Sequence, residues 1–378
     1  MTEEIGVGMV GHAFMGAVHS HAWRNVHRFF DVPLAPKLAA VGGRDAVRTK
    51  EAATRYGWAA AETDWRALVD RDDVHLVDIC TPGDTHAEIA LAALAAGKHV
   101  LCEKPLANTV EEAEAMTAAA EEAARRGVRS MVAFNYRRVP AIALARKLVA
   151  DGVVGDVRHV RAVYLQDWLS DPEAPMTWRL RREKAGSGAL GDLGAHIVDA
   201  AQFVTGSLIT GVSATLETFV PERPDGDGRA AVTVDDAAVF LARFSSGALG
   251  TFEATRYALG RKNAMRLEVN GSRGSLAFDF EAMNELSVFQ SDGPDAGFRR
   301  VLVTEPDHPY VGAWWPPGHL LGYEHTFTHE AADFLTAIGE GTDPAPSFAD
   351  GLRVQRVLAA VEESAGNRST WTTIGEPR

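Results

Sequence analysis

At 378 residues the chain is too long for one ordinary core, so two domains are expected. Its 46% hydrophobic and 24% charged residues describe a globular chain and exclude intrinsic disorder, and no apolar run approaches the ~20 residues that a membrane span needs. The net charge of -13 opposes attraction to phosphate backbones and anionic surfaces, so the expected partner is a small molecule, with no nucleic acid and no membrane.

The opening MTEEIGVG is acidic where a secretion signal is basic, and strand-like sequence follows at once, which points to the cytoplasm. Cys80 and Cys102 each close a short apolar run and read as reduced small hydrophobes. Six apolar runs, IGVGMV, LAAVGG, a weak WAA, HLVDIC, HVLCE and RSMVAF, alternate with helical segments up to residue 134. That rhythm predicts βαβ units, a doubly wound parallel sheet and a Rossmann-type α/β domain over residues 1–134. Thr109 and Glu112 form a capping box, while Gly57, Gly97 and Gly127 stand where helices end.

A glycine-rich turn reads in two overlapping registers, Gly6 to Gly11 or Gly11-His12-Ala13-Phe14-Met15-Gly16. The phosphate loop must follow a strand and open a helix, and the first register leaves only MTEEI as the strand. The second makes Ile5 to Val10 the strand and starts a helix with Met15, Val18, Ala22 and Val26 on one face. Ala13 replaces the middle glycine and adds a methyl where backbone and pyrophosphate approach closely. After the second strand come Gly43, Arg44 and Asp45. Arg44 could grip the 2'-phosphate of NADP, whereas Asp45 could bond the ribose hydroxyl of NAD or cap the next helix. The order tips the reading slightly to NADP, with NAD the alternative.

The stretch TPGDTHAEIALAALAAGKHVLCEKPLANT resembles the Gfo/Idh/MocA family of sugar and cyclitol dehydrogenases. The resemblance implies that Thr81, Pro82, His86, Glu103, Lys104 and Pro105 line the nicotinamide end of the cofactor site. Both loops leave the C-terminal ends of central strands, where open α/β sheets bind ligands. The resemblance continues through FNYRRVPAIALARKLVADGVVGDV, where Asn135, Tyr136 and Arg137 stand either at the mouth of the site or at an ordinary domain junction.

From residue 135 to 378 longer strand-like segments with short connections predict an α+β domain built on a large, mainly antiparallel open sheet, for substrate binding and oligomerisation. The candidates are RHVRAVYLQDW, TGVSATLETFV, VDDAAVFLARF, ALGTFEATRY and MRLEVNG, with PERPDGDGR as a mobile excursion. Asp192, His196 and Asp199 share one face of a helix whose other face, with Leu193, Ile197, Ala200, Ala201 and Val204, is apolar and free to pack. The family resemblance makes Asp192 the substrate-binding Asp and His196 the catalytic His. Histidine titrates in the range needed to take a hydroxyl proton as hydride leaves.

Trp178 and Arg179 suit the face and hydroxyls of a sugar, or else are a core Trp beside a salt-bridged Arg. The aromatic segment before the last helices resembles C-terminal segments of sugar-oxidising members of the family, and the resemblance implies that His319, Tyr323 and His325 complete the pocket. His325 and His329 are four apart, as metal ligands on a helix would be, but Thr326 stands where a zincin requires Glu. No metal is expected. The sequence thus predicts an NAD(P)-dependent oxidoreductase acting on a sugar, glycoside or cyclitol, and the family resemblance implies a homodimer or homotetramer. The alternatives are an NAD-dependent glycosidase, which net consumption of free cofactor with a sugar would separate, and a non-catalytic dinucleotide- and sugar-binding regulator, against which the presence of Lys104 and His196 argues.

Overall fold

The computed structural model describes residues 3–291 and 296–375; residues 1, 2 and 376–378, the ends of the two expected domains, lie outside them. The chain divides into two compact units, Met1–Arg138 with Leu321–Arg353, and Val139–Leu320 with Val354–Arg378.

In the first unit six strands alternate with helices: β1 Glu3–Val10, α1 Phe14–Phe29, β2 Leu34–Gly42, α2 Ala46–Tyr56, β3 Ala60–Glu62, α3 Trp65–Val69, β4 Leu76–Ile79, α4 His86–Ala95, β5 His99–Cys102, α5 Val110–Ala124 and β6 Ser130–Val132. Every pairing is parallel, in the order β3-β2-β1-β4-β5-β6, so the order reverses between β1 and β4, where doubly wound sheets bind ligands. Residues 5–10 of β1 and all of β4 are buried, which is why their sequences are almost continuously apolar rather than alternating. The Thr109–Glu112 capping box opens α5.

The second unit carries α6 Pro140–Ala150, β7 Val157–Leu165, α7 Arg182–Ala185, α8 Ala195–Thr205, β8 Ile209–Glu217, β9 Glu222–Asp225, β10 Gly228–Ala231, β11 Ala237–Phe244, β12 Leu249–Thr255, β13 Ala264–Gly271, β14 Gly274–Asp279, β15 Glu285–Gln290 and β16 Arg299–Leu302. The helices α9 Tyr323–Glu340 and α10 Phe348–Gly366 follow, then β17 Thr372–Thr373. Nine strands form one sheet, β16-β15-β14-β13-β7-β12-β11-β8-β17, antiparallel except where β7 pairs with β12. In β11, Ala238, Phe240 and Ala242 are buried while Val239 and Leu241 are exposed, the alternation of a sheet packed on one face.

Three expectations change. The helix α9, placed by the sequence reading within 135–378, packs in the first unit, where Phe327, Ala331, Phe334 and Leu335 join Trp23, Val26 and Met9 in one core. The segment PERPDGDGR is a β-hairpin rather than a loose excursion: β9 and β10 pair around Gly226 at φ 62. The Arg223 side chain, fully buried, donates to the carbonyls of Asp171 and Leu169 and to the Tyr257 hydroxyl. Finally, α8 is buried over almost its whole circumference from Ala195 to Gln202, because it packs on β7 and β13 and also on α6. His196 and Asp199 therefore lie inside the unit and not on an open polar face.

Candidate active site

The first unit begins the site at the end of β1. Gly6 and Gly8 lie within that strand, and the turn runs from Gly11 to Gly16. Gly11 has φ 101 and its N–H donates to Gly42 O at 2.9 Å; a Cβ there would fall 2.6 Å from Cys80 O, and one on Gly16 2.2 Å from Gly11 O. Only glycine fits this crossing. Ala13 caps α1 with no side-chain hydrogen bond, and the first turn of α1 holds no acid. Its N–H groups are therefore available to an anion, and the turn fits a dinucleotide pyrophosphate. Phe14 is 64% exposed and Met15 half-buried at the same turn.

Arg44 and Asp45 are both exposed beyond β2. Asp45 is the N-cap of α2, accepting from the backbone N–H groups of Val47 and Arg48 at 3.0 Å each, and the Arg48 N–H leads in holding its carboxyl below the usual range.

The two loops that follow β4 and β5 are tied to each other. His86, 1% exposed, sets Nε2 at 2.9 Å from Thr81 O and Nδ1 at 3.0 Å from Pro105 O. Thr85 donates its hydroxyl to that of Thr81 at 2.7 Å, and Pro82 opens the short turn Gly83–Thr85. Glu103 is also buried; its Oε1 lies 3.0 Å from His19 Nε2 and its Oε2 accepts from the Lys104 N–H at 3.1 Å. The His86 and Glu103 side chains thus hydrogen-bond protein groups inside the unit. Lys104 is half-buried at the end of that tie.

Asn135 donates to the Thr326 hydroxyl at 2.9 Å. Tyr136 meets Tyr323 edge to face with centroids 6.5 Å apart, and Tyr323 stacks on Phe14 at 6.2 Å. Arg137 lies 3.8 Å from Asp350. His325 accepts the Gly322 N–H at 3.1 Å, and burial, opposed by the Glu324 carboxylate, lowers its pKa. His329 faces the Arg138 carbonyl at 2.9 Å and is driven down to about 3, chiefly by burial. His319, in the second unit, sits 2.8 Å from Pro316 O, and Tyr323 and His325 belong to the first unit.

In the second unit the Asp192 element opens on a π-helical turn, Leu190–Gly194, that runs directly into α8. Such turns are frequent at functional sites. The Asp192 carboxylate is about one-third exposed and lies 4.0 Å from Arg256 Nη1. His196 is buried with its ring edge-on to Tyr164 at 5.8 Å. Arg179 lies over the Trp178 ring at 4.4 Å, with the Trp partly exposed.

Two residues missed in the sequence hold this turn in place. Asp235 accepts from the N–H of Gly188 at 2.7 Å and of Leu190 at 2.8 Å, and Arg256 donates to the Asp235 carbonyl at 3.0 Å. Both are buried. Their signal was a paired Asp opening one strand and an Arg just after the next.

Residues 5–134 match the model of an oxidoreductase family with an NAD-binding Rossmann fold, and residues 142–277 that of the GFO/IDH/MocA C-terminal domain. Levoglucosan dehydrogenase of Pseudarthrobacter phenanthrenivorans is 42% identical over 389 residues, which covers 98% of each chain. A solved oxidoreductase domain protein from Kribbella flavida is 68% identical with a TM-score of 0.97 over 100% of both chains. A levoglucosan dehydrogenase in complex with NADH and levoglucosan is 43% identical with a TM-score of 0.96, covering 99% of this chain and 100% of that one. The lean to NADP finds no support here, because the matched family is NAD-binding and that dehydrogenase holds NADH. No described helix is long and apolar enough to cross a membrane.

Proposed function

The chain belongs to the GFO/IDH/MocA family of oxidoreductases, and from that membership we propose that it is an NAD-dependent dehydrogenase that oxidises a secondary hydroxyl of a pyranose, with an anhydrosugar such as levoglucosan as the leading substrate. The observation that carries the reading is the π-helical turn that holds Asp192, its carboxylate 4.0 Å from the Arg256 guanidinium, and runs directly into the helix bearing the buried His196. Similarity to levoglucosan dehydrogenase along 98% of the chain supports the substrate class.

NAD, when bound, supplies the hydride acceptor. Gly11, Ala13, Phe14, Met15 and Gly16 bind its pyrophosphate through the open first turn of α1, and Asp45 serves the ribose. Thr81, Pro82 and Lys104 serve the nicotinamide end. His196 takes the hydroxyl proton as the neighbouring C–H bond breaks and returns it in the reverse direction. Asp192, beside Arg256, accepts hydrogen bonds from a neighbouring sugar hydroxyl, and the Lys104 ammonium donates to the reacting oxygen. Trp178 and Arg179 offer an apolar face with a cation beside it, a combination suited to a sugar ring.

We propose further that the protein self-associates as a dimer or tetramer through the open face of the nine-stranded sheet, where Val239, Leu241 and Leu249 are exposed. A cytoplasmic location accords with its two free cysteines.

A panel of sugars, anhydrosugars and cyclitols assayed with NAD and NADP tests the activity. Reduction of NAD with at least one pyranose is expected, and silence across the panel counts against the reading. Lys104→Ala and His196→Ala should each lower turnover by about 10²–10⁴-fold while NADH still binds. Unchanged turnover in both would remove these residues from the reaction.

A further inference from the structure

A buried polar cluster stands directly behind the Glu103–Lys104 step of the first unit. His19, on the same stripe of α1 as Met15, Ala22 and Val26, reaches the ends of two strands at once. Its Nδ1 lies 2.9 and 3.1 Å from the two Asp78 oxygens on β4, and its Nε2 lies 3.0 Å from Glu103 Oε1 just after β5. Trp23 donates its indole N–H to Asp78 Oδ2 at 2.7 Å, and the Cys80 thiol faces Asp78 Oδ1 at 3.5 Å. The His19, Asp78 and Glu103 side chains are 2%, 0% and 6% exposed.

An ionised carboxylate only accepts hydrogen bonds, so a ring with one on each side is satisfied when both nitrogens carry protons. Burial disfavours a charged ring, yet the facing groups, Asp78 foremost and then Cys80, together outweigh it, and the His19 pKa stands well above its ordinary value. The remaining groups around it are Glu330 of α9, whose carboxyl burial keeps protonated up to about 8, and the Phe327 ring at 5.2 Å. His19, Asp78 and Cys80 also place possible metal-ligand atoms within 4.8 Å of one another. Burial pushes the Cys80 thiol far up and Trp23 already occupies Asp78, so the cluster is built to hold a proton rather than a cation.

We propose that His19 is a positioning residue for the reaction: bridging Asp78 and Glu103, it fixes the Glu103 carboxylate that holds the Lys104 N–H, and so sets where Lys104 presents its ammonium group. The proposal rests on the role given to Lys104 above. It accounts for Glu103 without any contact to the cofactor. It also explains why a helix face that should be wholly apolar carries a histidine.

A double-mutant cycle tests it, read as single-turnover rates of NAD reduction, with NADH fluorescence certifying that each variant binds cofactor. His19→Gln is expected to slow hydride transfer about 10- to 100-fold, the effect of a small misplacement of a reacting group, with NADH affinity retained. In a Lys104→Ala background the same change should bring no further loss, because its effect runs through Lys104. Where His19→Gln fails to bind NADH, Glu103→Gln enters the same cycle. It keeps the side-chain shape but offers one acceptor where two N–H groups need one. Equal fold losses in both backgrounds, no loss in either variant, or failure of both variants to bind NADH would each overturn the proposal. Wild-type turnover in Lys104→Ala alone would instead overturn the role of Lys104.

Discussion

Arg138 Nη1 lies 3.7 Å from Glu330 Oε1, with both side chains at most 2% exposed. Burial raises the Glu330 carboxyl from its ordinary 4.5 to about 8, against the pull of the Arg138 and His19 charges and with the push of Glu103 and Asp78. The folded protein therefore keeps a proton that the unfolded chain releases near 4.5. Stability from this group is full below that pH and is lost as pH rises towards 8. Glu330→Gln imitates the protonated carboxyl and should flatten the fall in Tm over that window, leaving Tm almost unchanged below about pH 4.5 and above that of the wild type near neutrality. Thermal melts across the pH range check this; a parallel fall in both proteins would contradict it.

Asp235 satisfies two backbone N–H groups at the entrance to the Asp192 turn. In Asp235→Ala both donors stay buried without their acceptor, at about 1–3 kcal/mol each, so a denaturant melt should show a clear loss. Sugar turnover should fall with it while NADH affinity is kept, because the first unit is untouched. Equal weakening of NADH and sugar binding would place the damage elsewhere.

Asp45 has two jobs in this account, and they separate by substitution. Asp45→Ala removes the α2 cap and should lower the melting temperature, whereas Asp45→Asn keeps an acceptor oxygen and should hold stability. Both should weaken NAD binding by removing the carboxylate offered to the ribose. Titration with NAD beside thermal melts gives the two readouts; NAD affinity unchanged in both variants would leave Asp45 as a cap alone.

The doubly wound unit was legible because residues 5–10 of β1, β4 and most of β5 are buried and read as nearly continuous apolar runs. The Gly11 to Gly16 turn was legible because a strand precedes it and a helix follows. Helix α9 was not assignable to the first unit, since its apolar face shows that it packs but not on what, and the partner helix α1 lies some 300 residues away. The same holds for the burial of α8, whose second covering layer, α6, leaves no mark in the sequence of α8. His19 and Asp78 did leave a mark, as a histidine in the apolar stripe of α1 and a carboxylate inside LVDI. A polar residue at a core position signals a buried partner, but only the fold supplies the partner's identity.

The central claim is that hydride passes directly from a sugar carbon to NAD. Levoglucosan, or the best sugar of the panel, carrying deuterium on its ring secondary carbons should yield singly deuterated NADH by mass spectrometry, with one keto-sugar formed per NADH. Unlabelled NADH, or sugar consumed with no net reduction of NAD, would contradict the account and point to another use of the dinucleotide.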